Sequence, residues 1–311
     1  MVLMAMVACG DRTAAPPAPT TVAPLDAAAP TIDAAATRVA WTGPSCGTAL
    51  APLPDRDAAP MCLVPAATFI TGSDRPGDLP PRPVRITRDL AVDQYEVTIE
   101  QFLRFANALD NRCARDHAGD TACANRHDFE IVAPRLPLRP KPEHARAPMY
   151  VTYQRASEYC AWVGKRLPTE AEWLLAALRD PATGATRVFP WGDTFRKGIM
   201  NCGEDPGECE DGTRLNSPVG AFPSDVSATG ILDLGGNVDE WVRDCWTANP
   251  QCDGTPCTDP LFDDGCHRDG GLPGELNRGV TFTSGPDDFW VRRPSKSPAL
   301  ISGFRCVTAP D

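Results

Sequence analysis

The chain has 311 residues, and 30 Lys and Arg stand against 41 Asp and Glu, giving a formal net charge of −11. This length is sufficient for one large or two modest domains with a real core, and the negative charge argues against nucleic acid or an anionic bilayer as a partner. The 33 Pro and 13 Cys predict little regular secondary structure and an oxidising compartment.

The N-terminal 40 residues have the composition of a leader followed by a tether. Residues 1–9 are apolar up to Cys9, which is typical of a bacterial lipoprotein signal cleaved between Ala8 and Cys9, although a positively charged start is missing and a plain apolar end is the alternative. Residues 10–40 are rich in Ala, Pro and Thr and cannot offset their ordering entropy by burial. We therefore expect lipidation at Cys9, a disordered tether over 10–40, a folded domain over 41–311, and a cell-envelope lipoprotein or secreted protein.

Capping residues and apolar spacing predict two helices in the first half of the domain. The first begins after Thr98, which pairs with Gln101 as a capping box. The second follows Thr152 and ends at Gly164, because glycine readily adopts the left-handed conformation that ends helices. The residues predicted to face inward are Phe102, Phe105, Ala106 and Leu109 in the first helix, and Ala156, Tyr159, Cys160 and Val163 in the second.

A third helix is predicted to begin with a capping box of Thr169 and Glu172 and to end before Pro181. Its inward residues are Trp173, Ala176 and Ala177. After about Val188, Gly, Pro, Asp and Asn interrupt each short apolar run, so this half needs disulfides or bound cations to hold it.

Six stretches, in order along residues 60–308, resemble the formylglycine-generating enzyme (sulfatase-modifying factor) family. They are residues 64–73 (VPAATFITGS), 92–98 (VDQYEVT), 159–173 (YCAWVGKRLPTEAEW), 189–193 (FPWGD), 235–241 (GGNVDEW) and 303–306 (GFRC). The resemblance implies an irregular α+β fold of the C-type-lectin-like kind, low in regular structure and stapled by disulfides. It does not by itself imply the family's chemistry.

That family uses two cysteines, separated by four intervening residues, to bind copper(I) and activate oxygen, because soft thiolates suit this ion. The turn that precedes the pair corresponds to residues 278–283 (RGVTFT), so the resemblance places the cysteines on Ser284 and on or near Phe289. A hydroxyl and a phenyl ring cannot replace copper thiolates. We therefore expect no copper and no catalytic residues at these positions.

Cys252 and Cys257 have the same four-residue gap but lie upstream, in what looks like an insertion flanked by Cys245 and Cys266. Three interpretations stay open for them: a disulfide, a cysteine-rich metal site with His267, or a displaced copper site. A second family branch forms sulfur–carbon bonds with iron and a histidine cluster, but this chain has only 4 His and no added helical domain, which argues against that chemistry.

The resemblance also implies disulfides and structural calcium. It pairs Cys160 with Cys306, whereas Cys46–Cys62, Cys113–Cys123 and Cys202–Cys209 are candidates because they are near in sequence, and three pairings remain possible among Cys245, Cys252, Cys257 and Cys266. One calcium site by resemblance consists of Asn201, the Cys202 carbonyl, Asp211 and the Thr213 carbonyl. The other consists of Asp233, the Gly236 and Val238 carbonyls and Glu240.

These observations favour a non-catalytic, lipid-anchored domain that acts as a binding or structural module towards a protein or glycan ligand, not nucleic acid. The candidate binding surface is Trp246, Phe289, Trp290, Arg292 and Arg293, for which an aromatic core plus a solvated basic turn is an equally good interpretation. The competing hypothesis is an oxidoreductase that converts a protein cysteine to formylglycine, or performs a related oxidation in the same cleft.

Overall fold

A computed structural model of the protein describes residues 42–75, 77–108, 129–130, 139–202, 209, 211–213, 215–247, 250–252, 254–263, 274–282, 285–294 and 302–310. The predicted signal segment, the lipidation site Cys9 and the tether lie outside these residues. So do Leu109, the Cys113–Cys123 pair, Cys266, His267 and Ser284.

Within the described residues, regular elements are short. The α-helices are α1 (Ile99–Ala108), α2 (Tyr153–Trp162) and α3 (Glu170–Leu178). The strands are β1 (Cys46–Gly47), β2 (Met61–Val64), β3 (Ala67–Thr71), β4 (Arg82–Ile86), β5 (Leu90–Asp93), β6 (Phe129–Glu130), β7 (Arg139–Pro140), β8 (Glu240–Cys245), β9 (Cys257–Thr258), β10 (Glu275–Arg278), β11 (Arg293–Pro294) and β12 (Val307–Thr308). Short 3₁₀ helices cover Thr48–Leu50, Pro142–His144 and Pro286–Trp290.

The strands described here form four small sheets. The largest has the order β1-β2-β5-β12, so the end of the chain pairs beside strands from its beginning. Two three-stranded sheets have the orders β11-β10-β8 and β3-β4-β9, and β6 pairs with β7. Every pairing is antiparallel except β4 with β9.

The three predicted helix starts are confirmed. In α1, Gln101 N donates to Thr98 Oγ1 and Thr98 N donates to Gln101 Oε1, at 3.3 and 2.8 Å. In α3, Thr169 and Glu172 form the same reciprocal pair. α2 follows Thr152 as predicted, but the Thr152 side chain makes no capping hydrogen bond. Gly164, just beyond α2, has φ of 76°, a conformation that costs other residues energy.

Two hydrophobic clusters account for most of the core. One surrounds α3, which is buried along its whole length, and packs it against the β3–β4 hairpin and β10. The other joins α1 to α2 and includes Trp241 and Phe304 from distant parts of the chain. All the described residues that were predicted to face inward in the three helices are buried.

Disulfides connect the short elements. Cys160 and Cys306 are bonded across a sequence separation of 146 residues, the pairing that the resemblance implied. A loop of this length stabilises the fold by about 4–5 kcal/mol in the chain-entropy description. The pairs Cys46–Cys62 and Cys202–Cys209 are also present.

Few helices, small sheets and several disulfides confirm the predicted irregular α+β class. β8, with six residues, is the longest strand in the described part of the chain. Such short strands agree with the frequent turn residues of the second half of the sequence. None of the helices described here has the length and apolar character needed to cross a membrane.

Candidate functional site

Phe289, on or near which the resemblance places the second copper cysteine, is part of the hydrophobic core. Phe289 lies in the 3₁₀ helix Pro286–Trp290 and is fully buried. Its ring centroid is 5.9 Å from those of Trp173 and Phe189 and 5.3 Å from that of Trp290. The side chain at this position therefore serves packing, and it offers no metal ligand. Ser284, the other position, lies outside the described residues.

The predicted binding surface is wrong for three of its five residues. Phe289, Trp290 and Arg292 are only 0%, 5% and 6% exposed. Trp246 is partly buried against the core, and the Arg293 side chain lies outside the described residues. The aromatic-core interpretation is the correct one for Phe289 and Trp290, because the 3₁₀ turn directs both rings inward.

Arg292 is buried because it has a buried partner. Its Nε and Nη2 donate to the two carboxylate oxygens of Glu170 at 2.7 and 3.0 Å, and its Nη1 donates to the Thr247 carbonyl at 2.7 Å. Sequence offered no sign of this ion pair, since Glu170 lies 122 positions upstream. A solvated basic turn was expected here, but Arg292 instead forms a buried ion pair that connects α3 to the segment just before β11.

Cys252 and Cys257 form a disulfide, with a Cα–Cα distance of 5.4 Å, which confirms the first of the three interpretations. Cys245 is disulfide-bonded as well. Every cysteine in the described part of the chain is in a disulfide. The residues present there thus do not fit a copper thiolate site.

The second predicted calcium set lies in a buried acidic cluster. Asp233 and Glu240 are 3% and 1% exposed, and Asp233 Oδ2 accepts from Gly220 N at 2.6 Å. Glu240 accepts from Arg305 Nε and Nη2 at 2.8 and 2.6 Å and from Trp173 Nε1 at 3.0 Å. A Cβ at Gly236 would collide with the Asn201 carbonyl oxygen, so this turn needs glycine.

Sequence reasoning missed two further acids in this cluster, Glu96 and Asp225. Asp225 accepts from Gly235 N and Gly236 N at 3.0 Å, and Glu96 accepts from Asn237 Nδ2 at 3.2 Å. The local signal at Glu96 was weak: it lies between Tyr95 and Val97 in a stretch that also contains Asp93 and Gln94. Asp225 carried no comparable signal.

The cluster has more buried carboxyl groups than its one contacting arginine can balance when they are ionised. Glu96, Asp225, Asp233 and Glu240 are all buried, and Arg305 is the buried cation that contacts Glu240. Burial raises the pKa of Asp233 to about 6. Burial and then the charge of Asp233 raise the pKa of Glu96 and of Asp225 well above the usual range. Such a site is electrostatically suited to a cation.

The first predicted calcium set also comes together, next to the second. Thr213 Oγ1 donates to Asn201 Oδ1 at 3.2 Å and to Asp211 Oδ1 at 2.9 Å, and Cys202 N donates to Asp211 Oδ2 at 2.7 Å. Asn201 Nδ2 lies 3.3 Å from Asn237 Oδ1, which links the two sets. Among the described residues no three Asp, Glu, Cys or His side chains group as a metal cluster, so a cation here requires amide and carbonyl oxygens too.

Residues 48–310 match the family model described as the sulfatase-modifying factor enzyme 1-like domain. The chain is 30% identical over 232 residues to the formylglycine-generating enzyme of Mus musculus, which is 61% of this chain and 59% of that protein. It is 32% identical over 213 residues to the mouse inactive C-alpha-formylglycine-generating enzyme 2, or 58% of this chain and 68% of that protein.

A solved structure, that of PvdO from Pseudomonas aeruginosa, matches with a TM-score of 0.60 and 24% identity, covering 87% of this chain and 100% of that one. This likeness concerns the fold alone. The chain spans about three fifths of the length of the mouse formylglycine-generating enzyme.

Proposed function

The chain belongs to the sulfatase-modifying factor enzyme 1-like family, and from this membership we propose that it is a non-catalytic member acting outside the cytoplasm. In this proposal Cys9 carries a lipid that anchors the protein to the membrane, and the domain serves as a binding or structural module at the cell envelope. We infer that its chemistry differs from that of an oxidase, because the resemblance places the copper cysteines on Ser284 and on or near Phe289, and neither residue is a thiol.

Phe289 is the observation that carries this proposal. By resemblance the second copper cysteine falls on or near Phe289, whose ring is fully buried among Trp173, Phe189 and Trp290. Copper(I) coordination there requires a thiolate and an opening for oxygen and substrate, whereas this side chain fills the space with carbon. The similarity to a mouse protein named inactive is consistent with such a loss.

The state of the other cysteines gives further support. Cys252 and Cys257, which share the four-residue gap of a copper pair, are bonded to each other, and a disulfide cannot act as a pair of thiolate ligands. The competing hypothesis, conversion of a protein cysteine to formylglycine, rests on the similarity to the mouse enzyme of that name.

An activity assay separates the two hypotheses. The intact, disulfide-bonded protein is loaded with copper(I) and incubated with a cysteine-containing sulfatase peptide, with a formylglycine-generating enzyme as positive control. We expect the peptide mass to stay unchanged, and thiol titration of the unreduced protein to find no free thiol at Cys252 or Cys257. If the wild-type protein produces formylglycine and the Cys252→Ser variant does not, the non-catalytic proposal is overturned.

We also propose that calcium binds at the acidic cluster. Asp233, Glu240 and the Gly236 and Val238 carbonyls are the expected ligands. Burial raises the pKa of the neighbouring Glu96 and Asp225, and a bound cation would lower it again by favouring their ionised forms. Hard oxygen donors of this kind suit calcium. The ion's role there is structural: it offsets the buried charge and holds the turn between residues 233 and 240.

Thermal unfolding tests the calcium proposal. Removal of calcium with EGTA is expected to lower the Tm by about 5–10 °C relative to saturating calcium, since a ligand at 100 times its Kd adds about 2.7 kcal/mol. Glu96→Gln should reduce the calcium-dependent shift, whereas Asp287→Asn, at a side chain 97% exposed, should retain it. A Tm that does not respond to EGTA or to added calcium contradicts the proposal.

A further inference from the structure

Two buried asparagines connect the two candidate calcium sets. Asn201 and Asn237 are 1% and 2% exposed. The side chain of Asn201 belongs to the first set, and Asn237 lies in the second, between Gly236 and Val238, whose carbonyls are expected ligands. Asn201 Nδ2 donates to Asn237 Oδ1 at 3.3 Å. Each amide therefore belongs to one set and contacts the other directly.

The backbones of the two segments are in contact as well. Asn237 N donates to the Asn201 carbonyl at 2.8 Å, and this carbonyl leaves no space for a Cβ at Gly236. Asn237 has φ of 71°, a conformation that asparagine adopts more readily than most residues. The close packing holds the two amide side chains next to each other, so they cannot move independently.

The Asn201 amide has a fixed orientation. Its Nδ2 also donates to the Leu215 carbonyl and to Ser217 Oγ, both at 3.0 Å. Because these acceptors lie on the NH₂ side, Oδ1 faces the other way, toward Thr213 Oγ1 at 3.2 Å. Thr213 Oγ1 also lies 2.9 Å from Asp211 Oδ1. An oxygen of the first set is thus positioned by contacts that include the second set.

Asn237 continues the connection to an acid beside the second set. Its Oδ1 accepts from Ser217 N at 2.8 Å as well as from Asn201, and its Nδ2 donates to Glu96 Oε1 and Oε2 at 3.2 and 3.3 Å. The result is a continuous hydrogen-bond path from Asp211 to Glu96. Neither asparagine carries a charge, so the path acts through the positions of the ligands.

The charges of the two sets are compatible with two divalent ions. Five carboxyl groups lie in the sets and around them, those of Glu96, Asp211, Asp225, Asp233 and Glu240. Arg305 contacts Glu240. When ionised, the five carboxylates balance Arg305 together with two divalent cations, and this balance offsets the repulsion between the ions.

We propose that the side-chain contact between Asn201 and Asn237 couples the two calcium sites, so that an ion at one raises the affinity of the other. The pair is ordered once one site is filled, and the other set is then already in place for its ion. Coupling between sites typically changes an affinity about 5–150-fold. This inference rests on the proposed calcium sites, and it adds that they fill together.

Calcium titration of the full chain, followed by ¹⁵N NMR, reads the two sites separately. The backbone N–H of Thr213 reports on the first set and that of Gly236 on the second. We expect both resonances to shift saturably. If neither shifts, the calcium proposal is overturned and this inference with it. If only one shifts, a single site is present and the coupling is overturned.

Asp211→Asn weakens the first set and isolates the second. The calcium concentration at half of the Gly236 shift, the Gly236 midpoint, is expected to rise about fivefold or more. Charge alone predicts no rise, since the variant lacks the net positive charge that Asp211 and its ion carry together. Asp287→Asn, at a side chain 97% exposed, is the matched control and should leave the midpoint unchanged. A midpoint that stays the same or falls in Asp211→Asn overturns the coupling and leaves the calcium proposal standing.

Asn237→Gly tests whether the two side chains are the link. Glycine keeps the backbone conformation and the N–H donor to Asn201, but it removes the side-chain contact. In this background, Asp211→Asn should raise the Gly236 midpoint by less than about twofold. An equal rise in both backgrounds overturns the role of the pair. If Asn237→Gly does not fold, the comparison of Asp211→Asn with the wild type decides alone.

Discussion

Buried ion pairs connect distant segments of this protein. Lys165 donates to Asp93 at 2.7 Å and to Asp57 at 3.3 Å, and all three side chains are at most 3% exposed. Arg305 binds Glu240 in the same way at the acidic cluster. Removal of one member leaves an uncompensated buried charge, which costs about 3–5 kcal/mol.

The titration of Asp244 should be visible in the stability of the protein. Burial, and then the charge of Glu170, raises the pKa of Asp244 to about 7. The folded state therefore holds a proton between about pH 4 and pH 7 that the unfolded state releases. This contribution to the free energy of unfolding is complete below about pH 4 and is lost as the pH rises through 7, with a slope of about 1.4 kcal/mol per pH unit.

Urea unfolding at pH 5, 6 and 7, with disulfides intact, measures this slope. Asp244→Asn removes the titrating group. The free energy of unfolding of the variant should therefore fall less steeply with pH, by about 1.4 kcal/mol per pH unit, the slope that one bound proton gives. The variant is also expected to lose about 1 kcal/mol at all pH values, since its amide NH₂ cannot accept from one of the two backbone N–H groups. Equal slopes in wild type and variant would contradict the assignment.

At the scale of elements, α3 depends on its first turn. Thr169 accepts from Glu172 N at 3.2 Å, and Glu172 accepts from Thr169 N at 2.8 Å while it also binds Arg166. The helix is buried on all sides, so water cannot replace a lost cap. Its start therefore controls the central packing of the larger core cluster.

Thr169→Ala is expected to lower the free energy of unfolding by about 1–2 kcal/mol. Thr152→Ala is the matched control, because Thr152 precedes α2 in the same way but makes no capping hydrogen bond, and its loss should change stability by less than about 0.5 kcal/mol. Chemical unfolding of both variants gives the comparison. Equal losses would mean that the Thr169 hydroxyl has no special role.

At the scale of the whole molecule, disulfides and buried ion pairs connect distant segments, a role that long helices and wide sheets have in other folds. Cys160–Cys306 and the β5–β12 pairing both join the chain end to the helical half. Arg305, one residue before this disulfide, donates to the Asp93 and Leu232 carbonyls as well as to Glu240. The loop-rich second half is thereby held without much regular structure.

Prediction from sequence succeeded where the signal lies within a few residues. The caps at Thr98 and Thr169, the end of α2 at Gly164 and the family motifs are all local patterns, and the chain follows them. The candidate site was less predictable: Phe289 and Trp290 have the composition of a binding patch, and nothing near them in sequence indicates that α3 covers them. Glu96 and Asp225 were missed for the same reason.

The sequence by itself determined the irregular α+β class, the helix starts, the family and the lack of a thiol at Phe289. These follow from residue chemistry and from hydrogen bonds that span three or four positions. Only the tertiary structure decided that Arg292 binds Glu170 and that Cys252 pairs with Cys257. Burial and pairing depend on packing between distant segments, such as Trp173 and Glu240, 67 positions apart, and no local pattern encodes which segments meet.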